Sequence, residues 1–277
     1  MKFLVGAATT ALLTACPTIV QAKETNGVKA DEKGITIKQG DFELNIGGRI
    51  HVDGAVYDIP SAGTSGDTDI DARRARIEVS GKLGNAVRFG VGREFAGNSK
   101  GWRNLWASIE PLENIEVRGG NFIVPFNMED MQSSNAIPFV ERSLASSLTP
   151  GYGLGGAISA NGKNWSASVG YFTDPLDNDN GRSPERGNGI SGRATLAPIN
   201  SRGNLLHFAL SGEKRSFSST ESLSFSGDAG STLVPTLLST GTLTDLDGLT
   251  AYNAEVGGSF GSVQILGIST STDISRN

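Results

Sequence analysis

The sequence predicts an all-β chain built as a transmembrane antiparallel β-barrel with one connection folded inward. Three observations predict it. Phe42–Tyr57 alternates apolar and polar residues without a break, over about 15 residues where a globular strand runs about 5–6. Short turns and long loops alternate along the chain, as they do around outer-membrane barrels. One connection, Asn121–Pro150, is far longer than a compact domain normally uses, yet it carries Phe122, Phe126, Phe139, Leu144 and Leu148, which need a surface to pack on.

Composition bounds the alternatives. The chain has 277 residues, a formal charge of -5, 37% hydrophobic residues and 37 glycines. Helical membrane proteins need apolar runs of roughly 20 residues, and only one long apolar run occurs here. It is N-terminal: Lys2, then apolar Phe3–Leu13, then the small-residue site Val20-Gln21-Ala22. This is the pattern of a secretory signal peptide over residues 1–22, with a membrane anchor as the alternative. Cys16, the one cysteine, follows Leu13-Thr14-Ala15 as in a lipoprotein box. The later cut at Ala22 makes it a passenger of the discarded peptide. Either way the mature body has no disulfide and no cysteine-based metal site. The acidic balance disfavours nucleic acid as a partner.

Residues 23–40 are polar and expected to be flexible. The barrel region runs from 41 to 277. In Phe42–Tyr57, Phe42, Leu44, Ile46, Ile50, Val52 and Val56 share one face, and Glu43, Asn45, Arg49, His51 and Asp53 the other. Asp58–Asp69 reads as a turn, with Pro60, Gly63 and Gly66. In Asp71–Leu83 the apolar residues Ala75, Ile77 and Val79 oppose Arg74, Arg76, Glu78 and Lys82. In a soluble sandwich the apolar face is the core. In a barrel it meets lipid and the charged face lines the lumen, which accounts for both signs of charge at close spacing.

Strands follow at Val87–Phe95, Trp102–Glu110 and Ile115–Phe122. The long connection covers about 123–150 and contains Pro125, Glu129, Asp130, Glu141 and Arg142. Asn135 as cap and Pro138 in a first turn predict a short helix over Pro138–Leu148. Tyr152–Ala160 and Asn164–Phe172 form a hairpin around Asn161-Gly162. Thr173–Asn188 reads as a solvated outer loop. Its acidic spacing is a weak match to a calcium loop, but the Gly and bidentate Glu of an EF-hand are misplaced. Ile190–Ala197 and Leu205–Lys214 are strands, Arg215–Gly248 a Ser/Thr/Leu-rich extracellular loop, and Ala251–Phe260 with Val263–Ser269 a last hairpin. That makes about eleven strands. Trp102, Trp106 and Trp165 are candidates for an interfacial girdle.

Several segments carry a resemblance. Gly48-Arg49-Ile50, Arg73-Arg74-Ala75-Arg76-Ile77-Glu78, Gly119-Gly120-Asn121-Phe122-Ile123-Val124-Pro125-Phe126, Met128-Glu129-Asp130-Met131-Gln132-Ser133-Ser134 and Phe139-Val140-Glu141-Arg142 resemble, in this order, the phosphate- and pyrophosphate-selective porins of the porin O and P family. The resemblance covers about Asp41 to Pro198. It implies a 16-stranded, homotrimeric barrel in outer-membrane lipid, whose third loop enters and narrows the pore, and which passes small anions such as phosphate. Against 16, eleven strands and a last residue that is not aromatic read as a C-terminally incomplete barrel. Ile123 stands where phosphate-binding members carry a Lys, so the resemblance supports a porin of this family more than phosphate as its solute.

No catalytic set stands out: His51 and His207 lie on separate strands and no Gly-x-Ser-x-Gly elbow occurs. No enzyme activity, metal or cofactor is expected. The remaining chemistry is electrostatic. Arg49, Arg74, Arg76, Lys82, Arg118 and Arg193 fall on polar strand faces, and Arg142 lies in the inward loop. Rings of Arg or Lys are how anion pores select, and a guanidinium binds an oxyanion in a fork. The carboxylates Glu43, Asp53, Glu78, Glu116 and Glu255 share those faces. A general or cation-preferring porin is therefore the first alternative, and a secreted or lipid-anchored β-rich surface binding protein the second.

Overall fold

In the computed structural model the described residues are 26–277, apart from 60–63, 85, 98–99, 177–185, 219–220, 228–232, 235 and 237. The proposed signal peptide and Cys16 lie outside them. The chain is nearly all strand. Thirteen strands form one antiparallel sheet in which each pairs with the next. These are β1 (Gly27–Asp31), β2 (Gly34–Gln39), β3 (Phe42–Ile59), β4 (Thr64–Leu83), β5 (Val87–Glu94), β6 (Gly101–Leu112) and β7 (Ile115–Ile123). After the long connection come β8 (Tyr152–Asn161), β9 (Trp165–Thr173), β10 (Asn188–Ser201) and β11 (Asn204–Ser216). A two-stranded ribbon follows, β12 (Ser226–Gly227) with β13 (Leu238–Ser239), and the sheet resumes with β14 (Leu246–Phe260) and β15 (Val263–Arg276).

All eleven expected strands are present. Two are additional: β1 and β2 make a hairpin where a flexible segment was expected. Their five and six residues are too short, and the charged turn between them too close, for alternation to stand out. β4 starts at Thr64, inside the expected turn, because pairing with the 18-residue β3 continues outward to Ile59.

Which face is sheltered decides between sandwich and membrane wall. Along β3 the apolar Ile50 is 78% exposed, whereas the Arg49 side chain beside it is only 12% exposed. The same inversion holds on β14, where Tyr252 and Val256 are exposed and Asn253 and Glu255 are buried. A water-soluble sheet would do the reverse, because apolar burial drives folding. Exposed apolar and sheltered polar faces are the arrangement of a strand wall in lipid. No helix among the described residues is long and apolar enough to cross a membrane.

Connections at one end are tight: 113–114, 162–164, 202–203 and 261–262. Asn114 and Gly261 take positive φ there, a conformation open to Asn and Gly at low cost. Four connections at the other end are long, 95–100, 124–151, 174–187 and 217–245, while the one between β3 and β4, 60–63, is short. One of the two longest, 124–151, touches both early and late strands. Arg49 of β3 donates to Ser134 Oγ at 2.8 Å, and Arg193 of β10 donates to the Phe126 carbonyl at 2.6 Å. The sheet therefore curls around this segment, and the charged faces of its strands look inward.

Candidate functional site

The inward segment has its own structure. Asn127 caps a single helical turn, α1 (Met128–Met131), by accepting from the Glu129 N–H at 2.7 Å, and Leu144–Leu148 forms a 3-10 turn. The helix expected over Pro138–Leu148 is thus only this last turn. Asn135 does not cap it; its side-chain oxygen lies 3.1 Å from His51 Nε2 on the wall.

One side of the segment is bolted to β10, β11 and β14. Arg193 is buried there, paired to Glu255 at 2.7 and 2.9 Å, and bonded to the Phe126 carbonyl. Ser211 donates to the same carbonyl at 2.7 Å, and Glu255 accepts the Met128 N–H at 2.9 Å. Ser191 Oγ reaches the Pro125 carbonyl at 3.4 Å. The ring of Phe126 is fully buried with Leu223, Phe225, Leu246, Leu249 and Ala251. The Ser/Thr/Leu-rich connection read over Arg215–Gly248 thus does not lie wholly in solvent: Leu223 and Phe225 pack onto the segment because they bury apolar surface there.

The other side is open. Between the segment and the wall of β3–β7 lies a cavity of about 790 Å³. Five of the seven expected cations line it, namely Arg49, Arg74, Arg76, Arg118 and Arg142. Arg193 is instead consumed in the anchor. Lys82 lies near the tight-turn end of β4, in register with Glu43 and Arg88, and does not line the cavity.

Carboxylates hold most of these arginines. Arg49 pairs with Glu78, Arg76 with Glu94 at 3.1 Å and Arg118 with Glu116 at 2.6 Å. Glu94 is itself buried and accepts the Ala75 N–H at 2.6 Å. Arg74 contacts Glu141 at 3.3 Å. Arg118 also lies 4.1 Å over the Trp106 ring, which rests flat on Gly90, where any Cβ would sit 2.7 Å from it. Arg142 braces the segment internally, donating to the Glu129 carbonyl at 2.6 Å and the Gln132 carbonyl at 3.0 Å. Glu129 accepts from Ser146 Oγ at 3.0 Å. Phe139 is exposed, so it does not anchor the segment.

Two lining arginines escape strict alternation. The β3–β4 register slips between His51 and Val52, which makes Arg73 an extra residue opposite that step. It turns inward, lies 2.6 Å from Asp53 and donates to Glu141 at 2.8 Å. The β5–β6 register slips between Val91 and Arg93, which leaves Arg103 and Asn104 opposite Gly92. Both then line the cavity. A bulge adds one residue and re-aims a side chain, and neither bulge announces itself in the residue pattern.

Asp130 and Glu141 titrate in opposite directions. Burial raises the Asp130 pKa, with the Thr149 hydroxyl and Arg142 opposing it. Burial also acts against ionised Glu141, but Arg74, the Arg142 N–H and Arg73 outweigh it and leave its pKa lowered. As pH falls, Asp130 therefore takes its proton above the usual aspartate range and the passage gains positive charge. Anion over cation permeability should rise across that step, and Asp130→Asn should abolish the step. The same pH response in the variant would contradict this assignment.

Among the described residues no group of His, Cys, Asp or Glu is placed to hold a metal ion. A family model described as "Phosphate-selective porin O and P" matches residues 44–257. The chain belongs to this family. It is a family of channels, not enzymes, and it places the protein in a bacterial outer membrane. A comparison with curated proteins found no match. The inside-out strands of this porin, its alternating connections and its inward segment follow the architecture that the family implies.

Proposed function

We propose that this porin, exported by its N-terminal signal peptide and assembled as a homotrimer, admits small anions, phosphate among them, by passive diffusion along the arginine-lined side of its lumen. The observation that carries this reading is the cluster Arg49, Arg74, Arg76, Arg118 and Arg142 around one water-accessible passage. Guanidinium groups replace part of an anion's lost hydration, and several weak sites in series let it leave again. The pairing of Arg49, Arg76 and Arg118 with Glu78, Glu94 and Glu116 favours a second reading, a general porin of low charge preference.

Reversal potential in a potassium chloride gradient separates the two. The channel formed by the full-length protein should reverse toward the chloride potential, and Arg74→Gln should lower its anion preference about threefold. A reversal at zero or toward potassium overturns the anion reading.

A further inference from the structure

Arg103 differs from every other arginine of the passage named above. Among the described residues it has no carboxylate at ion-pair distance, and its guanidinium makes no hydrogen bond. The guanidinium carbon lies 5.1 Å over the Tyr152 ring. Its Nε is buried without a partner. An unpaired charge in a sheltered place is costly, so such a group is poised for an anion from outside the protein.

Its surroundings are mixed: Arg76, Glu94 and Arg142 act on it electrostatically, and several apolar side chains share the lining. Ile123 pairs in register with Tyr152. Asn121, fully buried, donates to the Arg103 carbonyl at 2.5 Å and accepts the Leu176 N–H at 3.0 Å, which ties the backbone at Leu176 to the backbone at Arg103. Ile123, Tyr152, Pro175 and Leu176 all line the cavity with it. A guanidinium stacked on a ring keeps its in-plane N–H groups free for a forked contact with an oxyanion. Inorganic phosphate gains nothing from the neighbouring Ile, Leu and Pro side chains, whereas an oxyanion with an apolar body covers them.

We propose that Arg103, Tyr152, Ile123 and Leu176 form a subsite for organic oxyanions, specifically phosphate monoesters carrying a small aromatic or aliphatic group. This rests on the cavity being the passage proposed above. The acid group sits on the Arg103 fork and the organic group lies against the apolar side chains.

Block of the chloride current tests it in the channel of the full-length protein, with phenyl phosphate and inorganic phosphate as probes. Phenyl phosphate should block at about tenfold lower concentration, the scale set by burying part of a ring. Arg103→Gln should weaken that block about tenfold or more, and by more than it weakens block by inorganic phosphate. Arg103→Lys, which keeps the charge and loses the fork, should fall between. Equal block by the two probes overturns the organic preference. Block unchanged in Arg103→Gln overturns the site. Reversal potential is read in the same membranes, so a channel without anion preference, which defeats the proposed function, is told apart from an anion channel without this subsite.

Discussion

Glu255→Gln should release the inward segment from the wall. The carboxylate holds Arg193 by two contacts, accepts the Met128 N–H and accepts from Asn253 at 2.7 Å. Both partners of the ion pair are buried, so removing the negative one leaves Arg193 as an uncompensated charge, at a cost of about 3–5 kcal/mol. The sheet ladders do not depend on this pair, so the loss falls on the segment. The expected result is a normally inserted channel with larger, noisier single-channel currents and faster proteolysis within 124–151. The double variant Arg193→Met with Glu255→Leu should quieten it again, because a buried pair can be replaced by packing. Currents as steady as the unaltered protein's would show that the pair does not hold the segment.

Phe126→Ala should have an effect of similar size by another route. The ring is the centre of the apolar cluster that joins the inward segment to Leu223 and Phe225 of the 217–245 connection. Truncating a fully buried Phe costs about 3–5 kcal/mol, transfer and cavity together. Two connections lose their common support at once, so the lumen should open on the β10–β14 side, where it is now filled. Conductance should rise while thermal melting of the β-structure in detergent changes little. If melting drops and conductance does not rise, the cluster supports the wall and not the segment.

Much of this was legible in the sequence, and the reason is physical. A strand wall between lipid and water imposes a period of two on its residues, and Phe42–Tyr57 obeys it without a break. The segment 124–151 was legible too, because aromatic side chains in so long a connection need a surface. What was hidden depends on contacts remote in sequence. Arg193 obeys the alternation and faces inward, but only the approach of Phe126 turns it from a lining residue into an anchor. Leu223 and Phe225 sit in a Ser/Thr-rich stretch whose composition is that of a solvated loop, and their burial depends on that same ring. Arg73 and Arg103 were assigned to no lumen face because each occupies a bulge, and a bulge is a property of two paired strands, not of one.

The bulges also change what a gene can do to this wall. In a regular strand, loss of one codon turns every following side chain to the opposite face. At position 103 it would do the reverse: with the extra residue gone, Asn104 falls opposite Gly92 and the ladder from Leu105 onward is undisturbed. A single in-frame deletion there removes one cation from the passage and leaves the lipid-facing residues in place. The charge of the passage can thus evolve by residue count as well as by residue type.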